Sequence, residues 1–512
     1  MMGMKNASGS RILKRKGDHS MKLDRTTYRD RVLACWIGKN IGGTMGAPYE
    51  GTHEMLDIKG FATKPGEVLP NDDLDLQLVW LRAVEKTGPW GLDCKRLGDF
   101  WLSYIVPYWN EYGIGKENMR MGLLPPLSGD YENDWQHSNG AWIRTEIWAT
   151  LAPGLPDVAA KYAVEDAKVD HGAGEGTFAA AFVAAMQSAA FTVRDIHCAI
   201  EIGLSRVPEN CRLALSVREA IRCYKEKVPP MEAREKIRLM NADIGDGWFE
   251  SPSNVAYAVL GMLYGEGDFK RSMITAINCG DDTDCTAATV GATLGILGGT
   301  AVIPDDWRAY IGDAIVTLSL NRAIGMKFPG TCTELTDDVV GLAPIMLYAN
   351  RGKTETERME IADADDYPEN IADLYLESTD TRAALEELKP NSYSIRFINV
   401  VATATFEREP NIHPGESIRL HVKFTNDWGV YGRTRHNLEM EWILPEGFTV
   451  SGPLSATITY RTRHCRHCVP AAEAEYVITA GETVAPMNEL LLVIREQGYP
   501  THGYLPVPLI CR

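Results

Sequence analysis

From Tyr28 to about Tyr348, apolar residues recur at intervals of three and four, as in Leu74, Leu78 and Leu81, the spacing that lines one face of an α-helix. Alanine-rich runs such as Thr177 to Met186 reinforce the pattern, because alanine is the best helix former. Residues 28–348 therefore read as a mainly α domain. Between Asn350 and Lys389 the chain turns acidic and polar, as in Asp363-Ala364-Asp365-Asp366, which predicts a linker over 349–390 with one or two short helices. Beyond Ser392 the period falls to two, most clearly in Ile418-Arg419-Leu420-His421-Val422-Lys423-Phe424. Further strand-like runs at Ile395 to Phe406, Leu438 to Leu444, Ala456 to Arg461 and Glu489 to Ile494 are separated by turn signals such as Pro414-Gly415. They predict a β-sandwich over 391–512, similar to the immunoglobulin-like modules appended to many enzymes. Residues 1–27, with Lys14-Arg15-Lys16 and no apolar run of signal-peptide length, read as a disordered leader.

Bulk properties narrow the class. A chain of 512 residues exceeds what one core sustains, so two domains are expected. Its 45% hydrophobic and 24% charged residues are ordinary for a globular protein. A formal charge of −17 excludes binding through phosphate neutralisation, so nucleic acid is not an expected partner. No stretch reaches the ~18 consecutive apolar residues of a membrane span, and a cytoplasmic protein without membrane partners is expected. Eleven scattered cysteines fit reduced thiols. The cluster His464-Cys465-Arg466-His467-Cys468 has no second cluster to complete a zinc site and reads as a polar hairpin loop.

Two segments carry candidate chemistry. Asn71-Asp72-Asp73 immediately precedes an amphipathic helix, and Asn278-Cys279-Gly280-Asp281-Asp282-Thr283-Asp284-Cys285-Thr286 packs three carboxylates before a helix rich in small residues. Aspartate at a helix start is also an ordinary cap, so the first segment alone says little. Together, two acidic helix starts offer hard oxygen ligands for one or two Mg²⁺ or Mn²⁺ ions. An EF-hand is excluded, because counting from Asp282 places Ala287 and Thr293 where that loop needs glycine and glutamate. Gly172, Gly174 and Gly176 lack the spacing of a dinucleotide fingerprint.

The order of motifs resembles the ADP-ribosylglycohydrolases. Gly38 to Glu50 is similar to the family's glycine-rich first helix and glutamate-bearing loop. Ser138-Asn139-Gly140-Ala141-Trp142-Ile143-Arg144 is similar to its N-G-x-x-x-R segment, His171 matches a histidine before an alanine-rich helix, and Gly280 to Thr286 is similar to its G-G-D-T-D-T metal motif. The resemblance implies an orthogonal helical domain and a binuclear magnesium or manganese centre at positions Asn71, Asp72, Asp73, Asp282, Asp284 and Cys285. It further implies Glu50 and Asp73 as catalytic groups, and Gly46, Asn139, Gly140, His171 and Gly280 as substrate-binding positions. The implied activity is hydrolysis of a glycosidic bond to ADP-ribose, free or protein-linked, or to a related ribosyl group.

The chain departs from the family pattern at three places: Asn71 and Cys285 stand where threonine is usual, and Gly43 where aspartate is usual. A thiol suits Mg²⁺ poorly, so one of the two ion positions is altered or lost on this reading. The alternatives are a glycosidase for another sugar or nucleoside-like substrate, and a silent metal-binding member. Trp135, Trp142 and Trp148 read as core.

Overall fold

The computed structural model describes residues 21–245, 247–323, 325–350, 359–362, 392–397, 400–426, 435–459, 471–498 and 502–511. The cluster at 464–468 lies outside them. Two short strands fall inside segments read as leader and linker: β1 (Met21–Asp24) pairs in parallel with β2 (Met359–Ala362), Leu23 opposite Ile361. The pairing places Met21–Asp24, read from sequence as part of a leader, in a two-stranded sheet. Asp24 then caps the first helix, Arg25–Gly46, accepting from the Thr27 amide at 2.7 Å.

The N-terminal domain is helical throughout, as the periodicity predicts, and its helices pack on a single large core. At its centre the first helix lies against helix Thr283–Gly298. The contact is backbone to backbone: a Cβ added at Gly38 would collide with the Gly291 carbonyl, and one at Gly295 with that of Ala34. Small residues let two helices approach this closely, with little side-chain volume between them. Gly298 does not share in it, since its neighbour is Val302 of its own following turn. Among the described residues no helix is long and apolar enough to cross a membrane.

The C-terminal domain is two antiparallel sheets over one core. Its strands are β3 (Ser392–Phe397), β4 (Val400–Phe406), β5 (Ser417–Asn426), β6 (Arg435–Ile443), β7 (Thr449–Ser451), β8 (Ser455–Thr459), β9 (Ala471–Thr479), β10 (Met487–Glu496) and β11 (His502–Ile510). One sheet runs β3-β4-β5-β9-β7, the other β11-β10-β6-β8. The alternation seen at Ile418 to Phe424 points Ile418, Leu420, Val422 and Phe424 inward, all fully buried. The run Ile395 to Phe406 is two antiparallel strands, with Phe397 opposite Val400, rather than one.

Leu123, Leu127 and Tyr131 of the helical domain pack on Leu491, Val493 and Tyr504 of the β domain. Beside this seam lies a cavity of about 470 Å³, lined by Pro125, Asp130 and Lys168 on one side and Met487, Glu489 and Pro506 on the other. Burial raises the Asp130 carboxyl to about 7, and burial with the charge of Asp130 raises Glu489 to about 8. Both values lie above those of an unfolded chain. The pair therefore stabilises the fold most at low pH, and that contribution is lost as pH rises through 7 to 8. Glu489→Gln should flatten this dependence. With both groups partly in contact with solvent, the gain at pH 8.5 exceeds that at pH 5.5 by about 1 kcal/mol, or roughly 2–4 °C in Tm. Equal Tm shifts at both pH values would remove the carboxyl pair as the cause.

Candidate active site

Each acidic segment sits where a helix begins. Asp72 and Asp73 open helix Asp72–Thr87, and Asp282 precedes helix Thr283–Gly298 without making a side-chain capping bond. The Asp282 carboxylate is therefore not spent on capping its helix. Asp282 and Asp284 are 3% and 5% exposed, and the Oδ1 atom of each has no hydrogen-bond partner. Buried acceptors are normally satisfied, so two orphaned carboxylate oxygens on one helix turn mark a place built for a cation. Asp281, immediately before them in sequence, is excluded from that role. It lies in the left-handed region at φ +66° and accepts from the Phe249 amide (3.1 Å) and Asn254 Nδ2 (3.0 Å).

Glu50 reaches the same place by a clip that local pattern does not reveal. A single 3₁₀ turn, Ala47–Tyr49, follows the first helix, and the chain then pairs with the aspartate motif: the Asp281 amide donates to the Thr52 carbonyl (2.6 Å) and the Gly51 amide to the Asp281 carbonyl (2.9 Å). Gly280 (φ +75°) is required here, since a Cβ would strike the Thr52 and Glu54 carbonyls. Gly46 serves the same purpose beneath the turn, facing the backbone of Thr283 and Asp284. Arg234 ties both strands of the clip, donating to the Cys279 carbonyl (2.8 Å) and the His53 carbonyl (2.6 Å). The exposed Glu50 carboxylate comes together with Asp282 and Asp284, their nearest oxygens all within 4.8 Å of one another.

Burial, Asp284 and Asp72 act on one another throughout this cluster. Asp284 chiefly, then burial and Asp72, raise Glu50 to about 8, while burial and then Asp284 raise Asp72 to about 6. Asp73 and Asp282 are pushed well above the carboxylate range by burial first. Tyr112 steadies Asp72, its hydroxyl donating at 3.1 Å, and Asn139 steadies Asp282, its amide donating to Oδ2 at 2.6 Å. Asn139 is in turn fixed by Trp142 Nε1, which donates to its Oδ1 at 2.9 Å.

A second set, Asp73, Asp284 and Cys285, lies deeper, with ligand atoms again within 4.8 Å. Here the Cys285 thiol donates to Asp73 Oδ1 at 3.3 Å. Asp73, 0% exposed, also faces the Lys39 ammonium at 3.7 Å. Lys39 donates to the Ile143 carbonyl (2.7 Å) and pairs with Glu146 (3.1 Å), itself held by Gln77 (2.8 Å) and Gln187 (2.9 Å). Burial works against the Lys39 charge, but Glu146 and Asp73 outweigh it and hold its pKa above the usual lysine value. Asn71 fills the space above Gly43, whose added Cβ would strike its amide, and neither polar atom of Asn71 has a partner.

His171 and Gly140 stand apart from the carboxylate sets. His171 is fully buried, with Nδ1 2.9 Å from Asp170 and Nε2 3.0 Å from Ser138 Oγ. Gly140 leaves room for the Glu111 carboxylate, and its carbonyl accepts from Arg144 at 2.6 Å. Arg144 also binds Asp170 (2.7 Å) and Asp166 (3.0 Å); against the effect of burial, Arg144 and His171 hold Asp170 at about 2. Trp142 and Trp148 are core, whereas Trp135 is only half-buried and stacks on His137. Lys39 and Glu146 are the site residues that sequence reasoning missed. A lone charge in the otherwise small and apolar stretch from Ala34 to Met45 was the available signal for Lys39.

Both donor sets are built into the helical domain. The family model for ADP-ribosylglycohydrolase matches residues 24–337, more than half of the chain, and the chain belongs to that family. The family consists in general of hydrolytic enzymes that are typically dependent on a divalent metal. Among solved structures the chain is similar to an ADP-ribosylglycohydrolase-related protein complex, at 20% identity and TM-score 0.39, covering 63% of this chain and 98% of the other. A FixG-related protein from Vibrio parahaemolyticus aligns over 23% of this chain and 99% of its own, at 5% identity and TM-score 0.18. No curated protein matches the sequence.

Crowded carboxylates with raised pKa values destabilise the metal-free fold as pH rises through about 6 to 8, because the unfolded chain ionises them freely. Metal-free protein should therefore melt at lower temperature at pH 8.5 than at pH 6. Mn²⁺ at a hundredfold excess over its Kd should add about 2.7 kcal/mol. The Asp282→Asn/Asp284→Asn variant should melt higher than the metal-free parent at pH 8.5 yet gain nothing from Mn²⁺. If scanning fluorimetry finds the same Mn²⁺ gain in that variant as in the parent, these carboxylates are not the ligands.

Proposed function

We propose that the chain is a divalent-metal-dependent hydrolase that cleaves the glycosidic bond joining ADP-ribose, or a related ribosyl group, to an acceptor. The observation that carries this reading is the convergence of Glu50, on an exposed turn, with the orphaned oxygens of Asp282 and Asp284. Asp72, Asp282 and Asp284 would hold Mg²⁺ or Mn²⁺ beside Glu50, with Asn71 able to add a carbonyl oxygen. Bound there, the metal would supply positive charge to the sugar hydroxyls and to the water that attacks the anomeric carbon.

The chain's own groups then divide the work. Asn139 and Tyr112 fix the orientation of Asp282 and Asp72, so the oxygens facing the cleft need no reorganisation when the ligand arrives. Glu50 is the exposed carboxyl of the set and, with a pKa raised to about 8 in the metal-free protein, is suited to carry a proton to or from the reacting oxygen. The carboxylate cluster favours the positive charge that grows on the ribose ring as the bond to the leaving group lengthens. Acceptor chemistry is set outside this cluster, and arginine, serine and small-molecule linkages all satisfy the same proposal. A cytoplasmic location goes with it.

Calorimetric titration of ADP-ribose, with Mn²⁺ present and then chelated, tests the substrate class; binding that requires the metal is expected. Glu50→Gln should keep that binding and lower kcat for release of ADP-ribose from an ADP-ribosyl-arginine or ADP-ribosyl-serine conjugate by ~10²–10⁴. No ADP-ribose binding in either condition would turn the substrate toward another ribosyl glycoside, and an unchanged kcat would remove Glu50 from proton transfer.

A further inference from the structure

The two donor sets share Asp284 but differ in every property that governs cation binding. The outer set, Glu50, Asp282 and Asp284, is all carboxylate oxygen, opens to the surface through Glu50 and contains two unpartnered oxygens on residues at least 95% buried. The inner set, Asp73, Asp284 and Cys285, is closed, includes a protonated thiol and already contains a cation as neighbour. That cation is fixed. Lys39 is 0% exposed, and its ammonium is anchored by the Ile143 carbonyl and by Glu146, whose carboxylate is held in turn by Gln77 and Gln187.

Resting on the metal-dependent reading above, we propose that this chain binds one divalent ion, in the outer oxygen set, and that the Lys39 ammonium takes the electrostatic place of a second. An ion ligated by Asp73 would lie within a few ångströms of an ammonium that cannot move into water, where unlike the surface case the repulsion is not screened. It would also have to displace the thiol proton of Cys285 or leave that ligand unused, and thiols bind Mg²⁺ and Mn²⁺ poorly. Lys39 is fully buried, so its role is to set the charge around Asp73 and hence the number of ions, a positioning role rather than a catalytic one.

The test counts ions in the full-length protein, stripped of metal and titrated with Mn²⁺ alone. One Mn²⁺ per chain is expected by calorimetry and by elemental analysis after gel filtration, with any second ion at least 100-fold weaker. The paramagnetic resonance spectrum should be that of an isolated ion, without exchange coupling. Two ions of similar affinity with an exchange-coupled spectrum would overturn the proposal while leaving the metal-dependent reading intact; no bound Mn²⁺ would overturn both. Cys285→Thr alone should keep the count at one, and a count of two in that variant would assign exclusion to the thiol instead of Lys39. Lys39→Met combined with Cys285→Thr should admit the second ion. Should that double variant fail to fold, the counts for the parent and Cys285→Thr decide the matter.

Discussion

Everything in the site depends on how closely two helices meet. Gly38 against Gly291, and Ala34 against Gly295, bring the helices Arg25–Gly46 and Thr283–Gly298 into backbone contact, and Gly46 continues the contact to the first turn of the second helix. One helix thus ends beside the start of the other. The turn carrying Glu50 leaves the C-terminal end of the first at the level where Asp282 and Asp284 begin the second. A larger residue at any of these glycines would separate the two ends and open the carboxylate cluster. Dispersion and close packing across this interface bring together groups that would otherwise repel.

That enforced proximity explains the electrostatics. Burial raises the pKa values of Asp72, Asp73, Asp282 and Asp284, neighbouring carboxylates add to it at Asp72, Asp73 and Asp282, and at Glu50 the charge of Asp284 leads. A fold selected for stability alone would replace them with apolar residues of similar volume, since unpaired buried charge is strongly destabilising. Instead the neighbours hold them in place: Asn139 for Asp282, Tyr112 for Asp72, and Cys285 with Lys39 for Asp73. Local strain accompanies the arrangement at Asp281, a non-glycine residue at φ +66° whose carboxylate is used up in holding the Phe249–Asn254 segment.

The sequence displays some of this and hides the rest for a physical reason. Helices, the change to period two after Ser392, and both acidic helix starts are local patterns, and all are present where the periodicity and the capping chemistry place them. The strand boundary inside Ile395 to Phe406 was not legible, because the segment contains neither glycine nor proline to mark a turn. Contacts across long separations were equally hidden. Asn139 meets Asp282 143 positions away, and Lys39 meets the Ile143 carbonyl 104 positions away. No periodicity reports such pairings; they follow from the tertiary course of the chain. The family resemblance placed Asn139 and His171 near the site, but the roles of Asn139 as a support for Asp282, and of His171 as a buried partner of Asp170 and Ser138, emerge only from the geometry.

Each of the three departures from the family pattern has a neighbour that fits it, and the residues involved form two coupled pairs. Gly43 and Asn71 are one pair: the Asn71 amide occupies the volume directly over the Gly43 α-carbon, so an aspartate at 43 could enter only with a change at 71. Lys39 and Cys285 are the other, meeting through Asp73, which receives the thiol proton on one oxygen and faces the ammonium with the other. Each pair is internally complementary, in volume for the first and in charge for the second. The Asn71 amide fills the volume over Gly43 although its buried polar atoms lack partners, and the Cys285 thiol finds its partner in Asp73. The inner half of the cluster is arranged around a fixed ammonium, and the outer half holds two unpartnered carboxylate oxygens and reaches the surface through Glu50.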